Sequence, residues 1–341
     1  MVIEGIPKEL NYRVPAEWDK HKFTLMAWPV VEADWPGSIN EIYDVFSDTV
    51  RKILKFEHVK IIVKPHLIDQ CKNYCGQKVD FITIENDDSW IRDSGPVMLK
   101  NDNKKTAGLN WKFNAWGGKY PYEKDNLISP KVMNLLKIPY FDIPIIMEGG
   151  SIDTDGEGTA LTTKECLLNK NRNPKLSIDD IEDVIKKYYN IKKVIWLEKG
   201  LYGDDTDGHI DNLACFVKPG LLMLQVCYDK SDPDYERTME NIRIIKNSVD
   251  ALGRSIEIIE IEKPKISYYN DMLLTLSYIN FYFVNNGIIL PLFDSKNEKT
   301  NVKVYDILKS LFPERKIETI EGSVLARGGG NIHCLTQQFP K

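Results

Sequence analysis

No stretch of the 341 residues approaches the roughly 18–20 consecutive apolar positions of a membrane span, so no helical span is expected. Cysteine is sparse. Cys71, Cys75, Cys166, Cys215, Cys227 and Cys334 are scattered too widely for a disulfide framework. Cys71 and Cys75 lie four apart on an expected helix, with no second pair to complete a zinc site. The sequence has no G-x-x-x-x-G-K-[ST] phosphate loop, no G-x-G-x-x-G fingerprint and no H-E-x-x-H, so nucleotide and zinc-protease readings lose support. Basic residues are not in excess. A net charge of -5 leaves no electrostatic footprint for nucleic acid and mildly favours a cationic small substrate. Residues 1–9 lack the basic-then-apolar plan of a signal peptide, and a reducing cytoplasm is the expected setting.

Hydrophobic residues make up 43% and charged residues 28%, the balance of a globular chain with a large core. Length alone predicts two or three domains. Strand-like apolar runs recur at 23–27, 59–63, 194–197, 221–226, 256–261 and 288–291. Helical patterns lie between them. Residues 40–56 carry apolar side chains at Ile42, Val45, Phe46, Val50, Ile53 and Leu54. Residues 178–189 open after Ser177 with acids in the first turn. Further helices are expected over 234–252 and 302–312. This alternation predicts an α/β protein. Short Gly- and acid-rich segments recur at 87–95, 148–156, 204–211 and 328–334. Their reference residues Asp93, Glu148, His209 and Cys334 are 55, 61 and 125 positions apart, the last gap being about twice the others. One unit repeated about five times, each placing a loop on a common face, would give such spacing.

Chemistry concentrates in these segments. Arg327-Gly328-Gly329-Gly330-Asn331-Ile332-His333-Cys334 sets three glycines, which permit backbone conformations and approaches closed to other residues, just ahead of a thiol. Cys334 reads either as a nucleophile or as a structural cysteine ending a last strand. Gly203-Asp204-Asp205-Thr206-Asp207-Gly208-His209-Ile210-Asp211-Asn212 offers a proton-carrying imidazole. If 208–216 begins a strand, His209 and Asp211 share a face. A surface turn and a His-x-Asp metal pair remain open there, whereas an EF-hand loop fails at both end positions. Asn86-Asp87-Asp88-Ser89-Trp90-Ile91-Arg92-Asp93-Ser94-Gly95-Pro96 reads either as a solvated turn or, because a tryptophan amid acids is unusual for one, as a site for a flat cation that stacks on the indole while carboxylates bind its edges. Met147-Glu148-Gly149-Gly150 places an acid at the end of an apolar run, and the aromatic-rich stretch 111–120 reads as core or pocket wall. On an extended strand, His333 would face away from Cys334, which leaves His209 as the better proton carrier.

Taken together, the sequence resembles the agmatine deiminase family, within the guanidine-modifying superfamily that includes bacterial peptidylarginine deiminases. The matching pieces run in order along nearly the whole chain: Pro15-Ala16-Glu17-Trp18, Met26-Ala27-Trp28-Pro29, Asp87 to Pro96, Phe113-Asn114-Ala115-Trp116-Gly117-Gly118, Glu148-Gly149-Gly150, Cys166-Leu167-Leu168-Asn169-Lys170-Asn171-Arg172-Asn173-Pro174, Thr206 to Asn212, and Gly328 to Gln338. The resemblance implies one catalytic domain over 1–341, folded as a five-bladed α/β propeller with pseudo-fivefold symmetry, and a homodimer. It implies Cys334 as nucleophile, His209 as acid/base, Asp93 and Asp211 as guanidinium clamps, and Glu148 as orienter of His209. No cofactor or metal is implied. Agmatine would yield N-carbamoylputrescine and ammonia through a covalent thiouronium on Cys334, a step toward putrescine. Its distal ammonium needs an acid or an aromatic: Trp90 and Trp116 are the expected walls, and Asp87 or Asp204 the expected amine partner. The sequence departs from the family pattern at Ala326-Arg327, where aliphatic residues are expected. The alternatives are a peptidylarginine deiminase with the same machinery, a metal-dependent ureohydrolase and a silent guanidine-binding protein.

Overall fold

The computed structural model describes residues 1–341 except Val31, Glu32 and Asp34. Its architecture is mixed α/β, and one arrangement recurs in five sheets. A central strand pairs antiparallel with one neighbour, then crosses through a helix to a parallel strand on its other side. His21–Ala27 pairs antiparallel with Gln337–Pro340 and parallel with His58–Val63, crossing by helix Ile39–Ile53. Thr106–Lys112 stands likewise between Val97–Asn101 and Tyr140–Ile146, with helix Ile128–Leu135. Thr159–Thr163 stands between Ile152–Thr154 and Lys193–Leu197, with helix Ile178–Tyr188. Leu221–Val226 lies between Ala214–Lys218 and Glu257–Glu262, with helix Asp234–Lys246. Gly287–Leu292 lies between Tyr282–Val284 and Lys316–Glu321, with helix Glu298–Leu311. A separate hairpin, Tyr268–Tyr269 with Met272–Leu273, follows the fourth unit.

Residue pattern explains these elements. The central strands are buried along most of their length because helices cover them, as in Leu221–Val226, where only the first residue is not fully buried. Helix Ile39–Ile53 buries Ile42, Phe46, Val50 and Ile53, the positions its 3.6-residue period predicts. Helix Ile178–Tyr188 starts at a capping box in which Ser177 Oγ accepts the Asp180 N–H and the Asp180 carboxylate accepts the Ser177 N–H. The helix expected over 234–252 ends instead at Lys246. Beyond it Val249 bridges Ser255, and the Asp250 carboxylate accepts the N–H groups of Leu252 and Arg254, satisfying the backbone in a turn. No helix of the described residues is long and apolar enough to cross a membrane.

The recurrence determines where chemistry can gather. Asp93, Glu148, Asp211, Asn280 and Cys334 each stand immediately ahead of the first antiparallel strand of one unit. Asn280 falls inside the long gap between His209 and Cys334, 54 residues before the cysteine.

Candidate active site

Local folding sets each side chain in place. Residues 208–216 do not begin a strand as expected. His209 precedes a 3-10 turn, Ile210–Asn212, and the strand starts only at Ala214. Asp204 is the reason. Its Oδ1 accepts the Thr206 N–H at 2.9 Å and the Thr206 hydroxyl at 2.7 Å, and its Oδ2 accepts Asn212 Nδ2 at 3.2 Å. Thr206 Oγ1 then accepts the His209 N–H at 3.2 Å. This Asx-type network bends the chain through Asp207 (φ 66°) and Gly208 (φ 90°). His209 and Asp211 still converge on one space, from a turn and not from a sheet face. Cys334 likewise sits in a turn ahead of the last strand, Gln337–Pro340. Arg92 fastens the Asp93 segment to that turn: its N–H donates to the Cys334 carbonyl at 3.1 Å and its Nη1 to Gln338 Oε1 at 2.7 Å.

The glycines mark where side chains crowd together. A Cβ on Gly150 would stand 2.8 Å from each of Asp93 Oδ1, Asp211 Oδ2 and His209 Nδ1. A Cβ on Gly330 would stand 2.6 Å from the Trp90 ring and 3.0 Å from Cys334 Cβ. Close approach, more than unusual φ, is what these positions require of glycine.

Around Gly150, His209 Nδ1 lies 3.8 Å from Asp93 Oδ2 and 3.9 Å from Asp211 Oδ1, and its Nε2 lies 3.9 Å from Glu148 Oε2. Both imidazole nitrogens, Glu148 Oε2 and Asp211 Oδ1 are buried with no hydrogen-bond partner among the described residues. Such groups are costly unless something polar completes them. Cys334 Sγ accepts from Asn280 Nδ2 at 3.2 Å and lies 3.6 Å from Asp211 Oδ2. Asp93 is held by the Trp116 indole N–H at 2.9 Å and the Gly150 N–H at 2.9 Å. Glu148 accepts Arg172 Nε at 2.7 Å, and the same guanidinium reaches Asp207 Oδ2 at 2.5 Å.

Electrostatics follow from this crowding of buried carboxylates. Burial pushes Asp93 up to about 6, with Asp211 and Glu148 adding to the rise and His209 opposing it. Burial would also raise Asp211, but the His333 hydrogen bond and charge bring it below the ordinary carboxylate value. Burial opposes charge on His209, yet Asp93, Cys166 and Glu148 outweigh it and hold the imidazole well above its usual value. Burial, then Asp211 and Asp93, holds the Cys334 thiol well above its usual value.

The site opens into a cavity of about 390 Å³ whose wall includes Asp93, Cys334, Trp90 and Trp116. Asp87 and Asp204 are not brought to it. Asp87 accepts the Lys124 N–H at 2.8 Å, and Asp204 is consumed by the turn described above. Their sequence neighbours Asp88 and Asp205 line the cavity in their place. Of the aromatic stretch 111–120, Trp111 packs into the core beside Tyr188 and Tyr189, while Trp116 and Tyr120 form cavity wall. Among the described residues one group could hold a metal: Glu148, Cys166 and His209, with donor atoms within 4.8 Å of one another. Arg172 already sets a fixed positive charge against its carboxylate. Asn280, Arg172 and Glu17 were not singled out by the sequence as site residues. A buried acid such as Glu148 demands a cation, which could have pointed to Arg172.

Residues 13–340 match the family model of the Porphyromonas-type peptidyl-arginine deiminases. A relative from Legionella pneumophila is 42% identical over 98% of this chain and 97% of its own. The agmatine deiminase of Medicago truncatula is 38% identical, covering 100% of this chain and 99% of that protein. The solved agmatine deiminase of Enterococcus faecalis superposes with a TM-score of 0.93 at 30% identity, over 99% of each chain. The likeness spans every loop that contributes to the cavity, and this chain belongs to the Porphyromonas-type peptidyl-arginine deiminase family, alongside its agmatine deiminases.

Proposed function

We propose that this chain hydrolyses agmatine to N-carbamoylputrescine and ammonia, a guanidine deimination that feeds putrescine formation. The observation that carries this reading is the convergence on Gly150 of Asp93, Asp211 and His209, with Cys334 alongside. Two carboxylates facing one space fix the nitrogens of a guanidinium by charge-assisted hydrogen bonds and orient its carbon. The entering cation also offsets the charges that keep the Cys334 thiol protonated, and so favours the thiolate. Sulfur attacks the central carbon. His209, held as imidazolium, protonates the departing ammonia, leaving the carbon bonded to Sγ as a thiouronium. The neutral imidazole then takes a proton from water, whose oxygen adds to that carbon, and the C–S bond breaks to give the thiolate and the ureido product, the remaining hydroxyl proton leaving to solvent, where it makes ammonium of the released ammonia. Glu148, fixed by Arg172, faces Nε2 and supports the charged imidazole.

Trp90 and Trp116 wall the methylene chain, and Asp88 and Asp205 supply negative charge for the distal ammonium. Burial pushes Asp88 up to about 7, a value an ammonium ion beside it would bring down. The reading includes one catalytic domain over 1–341, its five recurring units disposed as propeller blades about a pseudo-fivefold axis. It also includes a homodimer and a cytoplasmic setting, the latter supported by six free cysteines. Assay with agmatine and with an arginyl peptide tests it. One ammonia per ureido amine from agmatine, none with Cys334→Ala, is expected. Equal turnover of the peptide would transfer the activity to protein arginine.

A further inference from the structure

His333 lies between two carboxylates. Its Nδ1 is 2.8 Å from Asp211 Oδ2 and its Nε2 is 2.7 Å from Glu17 Oε2. A neutral imidazole carries one N–H and could donate to only one of them; an imidazolium donates to both. Glu17 is poorly placed to hold a proton of its own. Its Oε1 accepts the Phe283 N–H at 3.1 Å, and Arg92 Nη2 lies 3.7 Å from its Oε2. Both contacts favour the anion.

We infer that His333 is a positioning residue, an imidazolium anchored by Glu17 that keeps Asp211 ionised and aimed into the guanidinium site. The inference rests on Asp211 acting as a clamp. It explains why two clamps in one buried space differ: Asp93 has only an indole N–H, a backbone N–H and the more distant His209, whereas Asp211 has a cation in contact. The charged and titratable groups facing His333 are Asp211, Glu17 and Arg92, with Asp153, Tyr189 and Cys215 across two small cavities of about 50 and 20 Å³. Burial pushes Asp153 up to about 8, so at neutral pH it competes little for the imidazolium. Burial and Arg92 oppose the charge on His333, but Glu17 and Asp211 outweigh them and hold it up to about 9, while Glu17 falls to about 2.

Glu17→Gln separates charge from shape. The amide can still accept from Phe283 and can donate to His333 Nε2, leaving Nδ1–H on Asp211 with a neutral ring. In the wild-type protein, histidine 15N spectra, with His333 assigned by its loss in His333→Gln, should show both ring nitrogens protonated at pH 7. In Glu17→Gln one nitrogen should be bare. The acid limb of kcat/KM for agmatine, governed by Asp93 in the wild-type protein, should then steepen from about tenfold toward about a hundredfold per pH unit, because Asp211 has lost its neighbouring cation and titrates along with Asp93. KM at pH 6 should rise several-fold more than kcat falls. A neutral His333 in the wild-type protein overturns the inference, as does an acid limb of unchanged steepness in a Glu17→Gln variant of unchanged Tm. Should the chain turn over no agmatine at all, the proposed activity fails, while the 15N spectra still decide the charge on His333.

Discussion

Glu148 and Arg172 meet where solvent reaches neither side chain, with Nε donating to Oε1 at 2.7 Å. A buried pair of this kind adds little over an apolar substitute, yet losing one partner strands the other. Arg172→Ala should destabilise the fold by roughly 3–5 kcal/mol. Urea unfolding measures this, and Glu148→Gln added to Arg172→Ala should recover part of the loss by removing the stranded charge.

Asn280 Nδ2 donates to the Cys334 sulfur at 3.2 Å. Preorganised donors at developing charge contribute about 10²–10³ in rate where they have been removed singly. Asn280→Ala should lower kcat/KM by about that factor and shift thiol alkylation by iodoacetamide to higher pH. An unchanged alkylation profile would detach Asn280 from the thiol.

Gly150→Ala adds one methyl group 2.8 Å from each of Asp93 Oδ1, Asp211 Oδ2 and His209 Nδ1. Overpacking should cost roughly 1–3 kcal/mol, but activity should fall about 10²-fold through misplaced clamps. Unfolding and turnover measured on the same sample would show the second loss exceeding what the first explains.

The pH dependence has a definite sign. Asp93, pushed up to about 6, must be ionised to hold a cation. Agmatine kcat/KM should therefore climb about tenfold per unit below pH 6 and level off above it. Folding responds at the other end of the range. The His333 imidazolium, raised to about 9, contributes stability that is complete below the ordinary histidine value and is lost as pH rises through about 9. Thermal unfolding at pH 7 and pH 10 should show that fall, and Glu17→Gln should flatten it.

Much of the fold was legible because its elements are long and strongly patterned. Leu221–Val226 was read to the residue, and helix Ile178–Tyr188 to within one position, from its Ser177 cap. What the sequence concealed was local. Whether Asp87 or Asp88, and Asp204 or Asp205, reaches the cavity depends on the direction in which the folded turn sends each carboxylate, and adjacent acids look alike in a sequence. The Asp204–Thr206 turn also displaced the strand expected at 208, although His209 and Asp211 met all the same. Asn280 gave no charge signal; only the doubled gap between His209 and Cys334 hinted at a further loop. His333 was set aside on a strand argument, but Cys334 lies in a turn, and His333 lies against Asp211.

The most direct test is mass spectrometry of the peptide carrying Cys334, from protein quenched in acid during steady turnover of agmatine. A covalent addition equal to agmatine less ammonia, confined to that peptide and absent in Cys334→Ala, is the predicted result. Continued turnover with that peptide unmodified, or full activity in Cys334→Ala, would contradict it.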